Sequence, residues 1–315
     1  MNQKIDLEKN KIKAIGLWPF ICLLVLVVGL FIVASFYDLD IAKYLFSKDE
    51  PLGIFISSIG LAPGFFGGII ASGVIIAFNL KNKKKDRINI LKKLILYGYS
   101  IAMALGLWYY IAHQISSHNG YNFNEFIGLA IILPFACGAL YLGYRIGKKT
   151  NDDNLLLISL LYGIVLIITA LGLAQIFKHI MNRPRYRVLV DESTGLTMAD
   201  YCNWWEPFKY HEGINILKTD DNLQSFPSGH TTGAASTIML ALYLPLLFPK
   251  LGRERRLLFI GGVLWMFLVA FCRMWLGAHF LSDTMFAAIY TVGVIFAWNI
   301  IIEKKLINKE LFEVI

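Results

Sequence analysis

Residues 155–177 read LLLISLLYGIVLIITALGLAQIF, an apolar run without a single charged side chain. A transmembrane helix needs ~20 consecutive apolar residues to cross the hydrocarbon core, so this run is long enough to span a membrane. Seven further runs have the same character, and they lie at about 14–36, 57–80, 94–115, 125–145, 230–248, 257–275 and 284–302. The pattern predicts an all-α fold, a polytopic membrane helix bundle of about eight transmembrane helices.

The composition of the chain agrees with this fold class. Of the 315 residues, 57% are hydrophobic and 17% are charged, and a soluble domain of this length carries more charge. The run at 14–36 exceeds the apolar core of a signal peptide, and no convincing small-residue cleavage site follows it. We therefore expect a retained span. The four cysteines have no CxxC spacing, so neither a disulfide framework nor a zinc site is predicted.

Lysine and arginine clusters occupy alternate connections between the predicted spans. They lie before the first span and after the second, fourth, sixth and eighth spans. The positive-inside rule places these connections in the cytoplasm, so we expect residues 1–13 and 303–315 to be cytoplasmic segments. Topology and attraction to anionic lipids explain the net charge of +8. No aromatic–basic module accompanies the clusters, so a nucleic-acid partner is not expected.

The remaining connections are predicted to face outward. The first, 37–55, contains Asp38, and the longest, 178–226, breaks the charge rule with a cluster of cations. The long loop also contains aromatic residues, for which an interfacial belt is favoured over substrate contact. They are Tyr201, Trp204, Trp205, Phe208 and Tyr210.

The first polar block, KHIMNRPRY at 178–186, begins where the fifth span leaves the membrane. Lys178 and Arg185 are about two helical turns apart, so a continuing helix would place both on one face. Pro184 disfavours a regular helix there. Both cation types suit phosphate, and contact with lipid headgroups is the alternative interpretation. Second-tier candidates in and beside this block are Arg183, Arg187 and His179.

The second block, FPSGH at 226–230, opens the sixth span. Pro227 fits the first turn of a helix, and Ser228 and Gly229 let the backbone approach a ligand closely. A helix N-terminus presents unpaired N–H groups to an anion, and His230 would stand at the rim of that cradle. The alternative is an N-cap followed by a histidine at the membrane interface.

The third block, RMWLGAHFLSD at 273–283, forms the turn between the seventh and eighth spans. His279 and Asp283 are adjacent if they lie on one helix, and the carboxylate can then accept one imidazole proton. The other ring nitrogen would be left nucleophilic. Gly277 offers a break, so that Arg273 closes one helix and His279 opens the next. A structural histidine–aspartate pair is the alternative.

The predicted topology brings the three blocks to one face of the membrane. The fifth, sixth and seventh spans end, begin and end on the same outer side, so all three blocks meet one aqueous boundary. Three cations, a helix N-terminus, two histidines and one aspartate can then assemble in one pocket. Ionisable groups at such membrane ends are functional candidates by default.

The blocks resemble the motifs of the type 2 phosphatidic acid phosphatase (PAP2) family, which shares its core with vanadium haloperoxidases and glucose-6-phosphatase. The family pattern is Lys-x6-Arg-Pro, then Pro-Ser-Gly-His, then Ser-Arg-x5-His-x3-Asp. Its counterparts here are Lys178-x6-Arg185-Tyr186, Pro227-Ser228-Gly229-His230 and Cys272-Arg273-x5-His279-x3-Asp283. The resemblance covers about 178–283 with the flanking spans, and departs from the pattern at Tyr186 and Cys272.

The resemblance implies how the chain is organised. We expect accessory transmembrane helices over 14–154 and a PAP2-like catalytic core over 155–302, with the outer loop at 178–226. The family core usually has three spans before its first motif, whereas five are predicted here. An extra hairpin is therefore implied.

The resemblance also implies a role for each motif residue. His279 would attack phosphorus, Asp283 would orient His279, and His230 would donate a proton to the leaving oxygen. The phosphoryl oxygens would be bound by Lys178, Arg185, Ser228, Gly229 and Arg273. No cofactor is implied, and no metal-ligand cluster lies near the blocks, so the reaction is expected to be metal-independent.

The implied substrate is a membrane lipid phosphate or a polyprenyl diphosphate presented by the lipid bilayer. Phosphatidate, phosphatidylglycerophosphate, undecaprenyl diphosphate and a lipid A phosphate all fit, with the bacterial plasma membrane as the preferred host. Three other functions remain open: a phosphotransferase with the same site, an anion or lipid transporter, and an inert binding protein. A transporter usually places its charged residues near the bilayer midplane, which disfavours that alternative here.

Overall fold

The apolar runs form the helices of the computed structural model, which describes residues 12–13, 15–82, 87–117, 125–150, 153–217, 221–307 and 312–313. A backbone in hydrocarbon must satisfy its own hydrogen bonds, and a helix does so. In chain order the helices are α1 (Trp18–Leu45), α2 (Pro51–Ile59), α3 (Ala62–Lys81), α4 (Arg87–Ser117), α5 (Glu125–Lys149), α6 (Asp153–Leu166), α7 (Ala174–Met181), α8 (Tyr186–Leu189), α9 (Gly229–Ala235), α10 (Ile238–Leu247), α11 (Arg255–Trp275) and α12 (Leu281–Ile307).

Shorter elements connect these helices. A π-helical segment, Ile167–Leu173, joins α6 to α7 without a break. The connection from α8 to α9 contains the 3₁₀ turns Glu192–Thr194, Met198–Asp200 and Asp221–Leu223, and Pro249–Gly252 joins α10 to α11. Near the two ends of the chain, the two-residue strands β1 (Ile12–Lys13) and β2 (Phe312–Glu313) pair in parallel.

Seven helical segments of the described residues are long and apolar enough to cross a membrane. They are Trp18–Leu45, Pro51–Lys81, Arg87–His113, Phe126–Lys149, Asp153–Leu189, Arg255–Trp275 and Leu281–Glu303. The predicted fold class, an all-α membrane bundle with about eight apolar helices, is confirmed.

The eighth apolar run, predicted as a span at 230–248, is divided between α9 and α10. The Ser236 hydroxyl at the end of α9 donates to the Gly233 carbonyl, and the Thr237 N–H bonds back to the Ala234 carbonyl. A hydroxyl that bonds a nearby carbonyl competes with the regular helical ladder. The run therefore consists of two short helices rather than one continuous span.

Helix α1 extends well beyond the apolar run that predicted it. The sequence pattern ends the first span at residue 36 and places Asp38 in an outer loop. In the structure α1 continues to Leu45, and Asp38 is a buried residue of this helix. That placement was wrong because the carboxylate is balanced by Arg183, whose Nη2 lies 2.9 Å from Asp38 Oδ2. A helix can bury an aspartate when a cation meets it with good geometry.

Two tyrosines fix the helices of the first half against α6. Tyr162 of α6 donates to the Gly64 carbonyl of α3 at 2.8 Å, and Tyr99 of α4 donates to the Leu160 carbonyl at 3.0 Å. A buried tyrosine hydroxyl normally finds such an acceptor. These contacts hold α3 and α4 beside the helix that leads into the first polar block.

Candidate active site

The turn between α11 and α12 is built on Gly277. The Gly277 N–H donates to the Met274 carbonyl and the Ala278 N–H donates to the Arg273 carbonyl, which is the Schellman arrangement at a helix end. Gly277 has a φ of 59°, and an added Cβ would lie 2.6 Å from the Phe46 ring. Both the positive φ and the contact with Phe46 therefore exclude a side chain at this position. The predicted break at Gly277 is confirmed.

Two carboxylates hold the first turn of α12. Asp283 Oδ2 accepts the Phe280 N–H at 2.8 Å, and Asp38 Oδ1 accepts the Ser282 N–H at 2.9 Å. These N–H groups have no acceptor within their own helix, and carboxylates also suit the positive end of the helix dipole. His279 lies just before this turn, in the connection, rather than on α12 as the helical spacing predicted.

Arg183 joins the two carboxylates. Its Nη1 donates to Asp283 Oδ1 at 2.7 Å and to Ser282 Oγ at 2.8 Å, and its Nη2 donates to Asp38 Oδ2 at 2.9 Å. Its Nε donates to the Cys202 carbonyl at 2.9 Å. The guanidinium is fully buried over the Phe280 ring, 4.1 Å from the centroid. All these donors are met by the protein itself, so Arg183 is a structural cation.

Backbone hydrogen bonds connect the three polar blocks pairwise. The Ser225 N–H donates to the Arg183 carbonyl at 2.9 Å, joining the approach to the second block to the first block. The Arg187 N–H donates to the Gly277 carbonyl at 2.9 Å, and the Ser228 N–H donates to the Asp283 carbonyl at 3.0 Å. The convergence expected from topology is therefore seen in the fold.

His279 is oriented by a backbone carbonyl rather than by the aspartate alone. Its Nδ1 lies 2.7 Å from the Ser225 carbonyl oxygen and 3.8 Å from Asp283 Oδ2. The direct hydrogen bond that the sequence spacing predicted is therefore absent from this pair. Asp283 acts one step away, because it accepts the Ser225 hydroxyl at 2.5 Å and so fixes the residue that binds His279.

The surroundings of His279 favour the neutral imidazole. Burial lowers its pKa well below the usual 6.5, and the positive charges of Arg273, Arg185 and Lys178 lower it further. A carbonyl oxygen only accepts hydrogen bonds, so Nδ1 carries the ring proton in the contact with Ser225. Nε2 then keeps its lone pair, which is the requirement for a histidine nucleophile.

Two of the predicted phosphate-binding cations share one carboxylate. Arg185 Nη2 lies 2.5 Å from Asp221 Oδ2, and Lys178 Nζ lies 3.7 Å from Asp221 Oδ1. The Arg185 and Lys178 side chains are 2% and 12% exposed, whereas the Asp221 side chain is 55% exposed. Solvent therefore reaches the acid, while the cations face inward.

Arg185 and Arg273 have donors that no described residue satisfies. Nε and Nη1 of Arg185, and Nε and Nη2 of Arg273, are buried and have no hydrogen-bond partner among the described residues. A buried donor without an acceptor costs about 1–3 kcal/mol, and more when the group is charged. Four such N–H-bearing nitrogens beside Lys178 and a neutral His279 form a ready site for a multiply charged oxyanion.

The start of α9 brings the second block to this site. Ser228 is the N-cap, and its Oγ accepts the Thr231 N–H at 3.2 Å. Pro227 therefore precedes the cap instead of occupying the first turn, where the sequence pattern placed it. Gly229 and His230 form the first turn, and His230 is 6% exposed. Ser228 therefore caps α9, and its own N–H donates to the Asp283 carbonyl, which fixes the second block beside the third.

The two departures from the motif have distinct structural settings. Tyr186, which replaces a proline, is buried with its ring 5.2 Å from Phe46 and 6.3 Å from Phe280, edge to face in both cases. The turn after Arg185 forms without the proline, because the Val188 N–H donates to the Arg185 carbonyl at 3.1 Å. Cys272 is buried on α11, one residue before Arg273.

Part of the long loop is anchored rather than free at the interface. Trp204 Nε1 donates to Ser35 Oγ at 2.9 Å, and its ring lies 4.7 Å from the ring of Phe31 on α1. Trp205 and Tyr210 are about half and two-fifths exposed, and the interfacial belt stays a prediction for them. Two of the second-tier candidates differ in their surroundings. Arg183 is a structural cation, as described above, whereas the His179 side chain is exposed.

Sequence reasoning missed three residues of the site: Asp38, Ser225 and Asp221. Asp38 is the only one with a usable signal, since a lone acid directly following a long apolar run calls for a partner. Ser225 and Asp221 lie in a polar connection where nothing distinguishes them from their neighbours. Within the described residues, no group of three or more histidine, cysteine, aspartate or glutamate side chains is arranged to hold a metal ion. Metal independence remains a prediction.

The segment that carries all three blocks matches a protein-family model, that of the PAP2 superfamily, over residues 157–307. The match confirms the resemblance to the PAP2 superfamily over this segment. Neither the curated proteins nor the solved structures include a match to the chain. The PAP2 superfamily generally comprises phosphatases, so the match supports a phosphoric ester hydrolase embedded among membrane-spanning helices. Helices α1–α5, including Asp38, lie outside the PAP2 match.

Proposed function

We propose that the protein hydrolyses a lipid phosphate monoester or diphosphate at the outer membrane face through a phosphohistidine intermediate. The alternation of basic connections supports an outer site with both termini in the cytoplasm. The lipid substrate is supported by the position of the site at the end of apolar helices, where a headgroup enters from the interface while its chains stay in the bilayer.

The observation that carries the proposal is the set of open guanidinium donors around a neutral histidine. Phosphoryl transfer spreads negative charge over the equatorial oxygens, and fixed donors aimed there supply most of the stabilisation. Arg185 and Arg273 offer such donors, and Lys178 adds a point charge. Ser228 and the Gly229 N–H complete the proposed phosphate cradle.

In the first step, Nε2 of His279 attacks phosphorus. The P–N bond forms as the bond to the leaving oxygen breaks, and protonated His230 donates its proton to that oxygen. The phosphorylated imidazole keeps its Nδ1 proton and becomes cationic. The Ser225 carbonyl at 2.7 Å and the Asp283 carboxylate at 3.8 Å favour this charge.

In the second step, water attacks the phosphohistidine. His230 accepts a proton from that water, the P–N bond breaks, and inorganic phosphate leaves. His279 returns to its neutral form and His230 is again protonated, so protons and charges balance over the cycle. No step in this scheme needs a cofactor.

The test is phosphate release from lipid phosphates by His279→Ala, purified in detergent, with a chelator present. We expect complete loss of turnover with a retained cooperative unfolding transition, because the variant removes the nucleophile and the single hydrogen bond from its ring to the Ser225 carbonyl. His211→Ala is the matched control, since His211 is exposed and pairs with Asp200 in the long loop. Retained turnover in His279→Ala would overturn the nucleophile assignment.

The same preparation separates the alternatives. Phosphate release in detergent, without a membrane to cross, excludes a pure transporter. Transfer of labelled phosphate to an added lipid alcohol, in place of release to water, would instead support a phosphotransferase. A panel of phosphatidate, phosphatidylglycerophosphate, undecaprenyl diphosphate and a lipid A phosphate identifies the headgroup.

A further inference from the structure

An apolar groove lies between α4 and the π-helical segment before the first block. Its volume is about 260 Å³. The walls come from three elements: α3, α4, and the junction of α6 with the π-helical segment. Representative wall residues are Phe65, Met103, Leu107, Ile167 and Leu171.

One end of this groove reaches the phosphate site. Tyr110 lines the groove, and its hydroxyl lies 3.9 Å from the point where a Cβ on Gly229 would stand. Gly229 begins α9, and its N–H belongs to the proposed phosphate cradle. The ring of Tyr110 packs against Phe65, with 5.6 Å between the ring centroids. Tyr110 therefore marks the junction between the apolar groove and the start of α9, where the proposed phosphate cradle lies.

The other side of the groove is open toward the lipid-facing surface of the bundle. Leu171 is 58% exposed and Tyr109 is 50% exposed, and both line the groove within segments that are long and apolar enough to span a membrane. π-Helical turns are uncommon and are frequent at functional sites, because the wider turn disturbs regular packing. Here the π-helical segment forms one wall of the groove.

We propose that the groove holds one hydrocarbon chain of the phosphorylated amphiphile whose headgroup lies at Arg185 and Arg273. This inference rests on the proposed function and assigns a role to α4, which lies outside the PAP2 match. The occupant follows from the contact of the groove with the proposed phosphate cradle at Gly229: a molecule with an anionic end and an apolar chain fits both parts. A volume near the lower limit of ligand sites, ~300 Å³, suits one chain rather than two.

Gly106 gives a direct test because it lines the groove and an added Cβ there meets nothing within 4 Å. Gly106→Phe adds a ring at the wall of the groove, from a position where the Cβ meets open space. Gly98→Phe is the matched control, since Gly98 is on the same helix, is equally open and does not line the groove. The measured quantity is KM for a long-chain lipid phosphate and for a short-chain phosphate ester with the same headgroup.

We expect Gly106→Phe to raise KM for the long-chain substrate by at least about tenfold and to leave the short-chain ester unchanged. Gly98→Phe should change neither value. An equal change for both substrates, or no change for the long chain, would overturn the assignment of the groove. If the wild-type protein releases phosphate from neither substrate, the proposed function fails instead.

A binding experiment keeps the groove testable in that case. A lipid phosphate with a photoreactive group in its chain should label the peptide containing Met103 and Leu107, and Gly106→Phe should abolish the labelling while Gly98→Phe retains it. Excess unlabelled lipid phosphate should compete, and the corresponding lipid without phosphate should not. Equal competition by both lipids would show an ordinary bilayer lipid in the groove and would overturn the inference.

Discussion

Arg183 and Arg185 lie two residues apart in one connection, and both side chains are almost completely buried, yet their surroundings are opposite. Arg183 donates to the carboxylates of Asp38 and Asp283, a hydroxyl and a carbonyl. Arg185 has exposed Asp221 on one nitrogen, while its Nε and Nη1 have no acceptor among the described residues.

The contrast shows what a buried cation tells about function. Burial alone does not distinguish the two arginines, and sequence proximity suggests the same role for both. A guanidinium whose donors are all satisfied contributes to the fold, because any ligand would have to displace existing hydrogen bonds. A guanidinium with open donors favours a ligand that supplies the missing acceptors. The three predictions that follow test this distinction.

The largest effect is expected for Arg183→Met. The change leaves Asp38 and Asp283 buried without a counter-charge, and breaking a buried pair in this way costs about 3–5 kcal/mol of unfolding free energy. Thermal unfolding in detergent measures it, with Arg185→Met as the comparison. Arg185→Met should keep the wild-type midpoint, because its partner Asp221 is exposed to water. Equal midpoints for the two variants would contradict the structural role of Arg183.

Arg185→Gln should have the opposite profile, with wild-type stability and low activity. Removing one fixed donor to the transition-state charge typically lowers kcat by about 10²–10³-fold. Phosphate release from a lipid phosphate measures this loss. Arg145→Gln serves as the control because Arg145 is exposed on α5 and pairs only with Tyr141 among the described residues. A variant with normal kcat would show that Arg185 does not contact the reacting phosphoryl group.

The smallest effect is expected for Asp221→Asn. The carboxylate of Asp221 occupies one side of Arg185 and Lys178, so it competes with an incoming phosphate for both cations. An exposed ion pair contributes up to about 1 kcal/mol, so inorganic phosphate should inhibit the variant about two- to fivefold more tightly. Inhibition titrations give this value directly. Weaker inhibition in Asp221→Asn would mean that the acid helps to position the cations.

The sequence was sufficient for the fold class, the order of the spans and the meeting of the three blocks. Hydrophobic run length and charge alternation depend on the bilayer, which acts on every span in the same way. The break at Gly277 was also predictable, because glycine is the residue that most readily adopts the left-handed conformation at a helix end. The catalytic roles of His279, His230 and Asp283 remain predictions.

Other features depend on contacts that no local pattern encodes. Asp38 and Arg183 are 145 residues apart in sequence, and only the packing of α1 beside α12 brings them together. The partner of His279 is the backbone carbonyl of Ser225. Every residue has such a carbonyl, so the sequence does not show which one accepts the hydrogen bond. The length of α1 was underestimated because hydropathy marks the apolar part of a helix and not its end. The division of α9 from α10 arose from hydroxyl-to-carbonyl bonds that hydropathy does not register.

The Asp38 carboxylate sets a limit on how this protein can be divided. The segment that matches the family model contains Arg183 and Asp283, but the second carboxylate partner of Arg183, Asp38, lies on α1 outside that segment. A designer who grafts residues 157–307 onto other membrane helices must therefore provide an acid at the same depth. Without it, the Ser282 N–H would lose its acceptor and Arg183 would lose one of its two carboxylate partners. A match to the family over residues 157–307 therefore does not mean that this segment folds without α1.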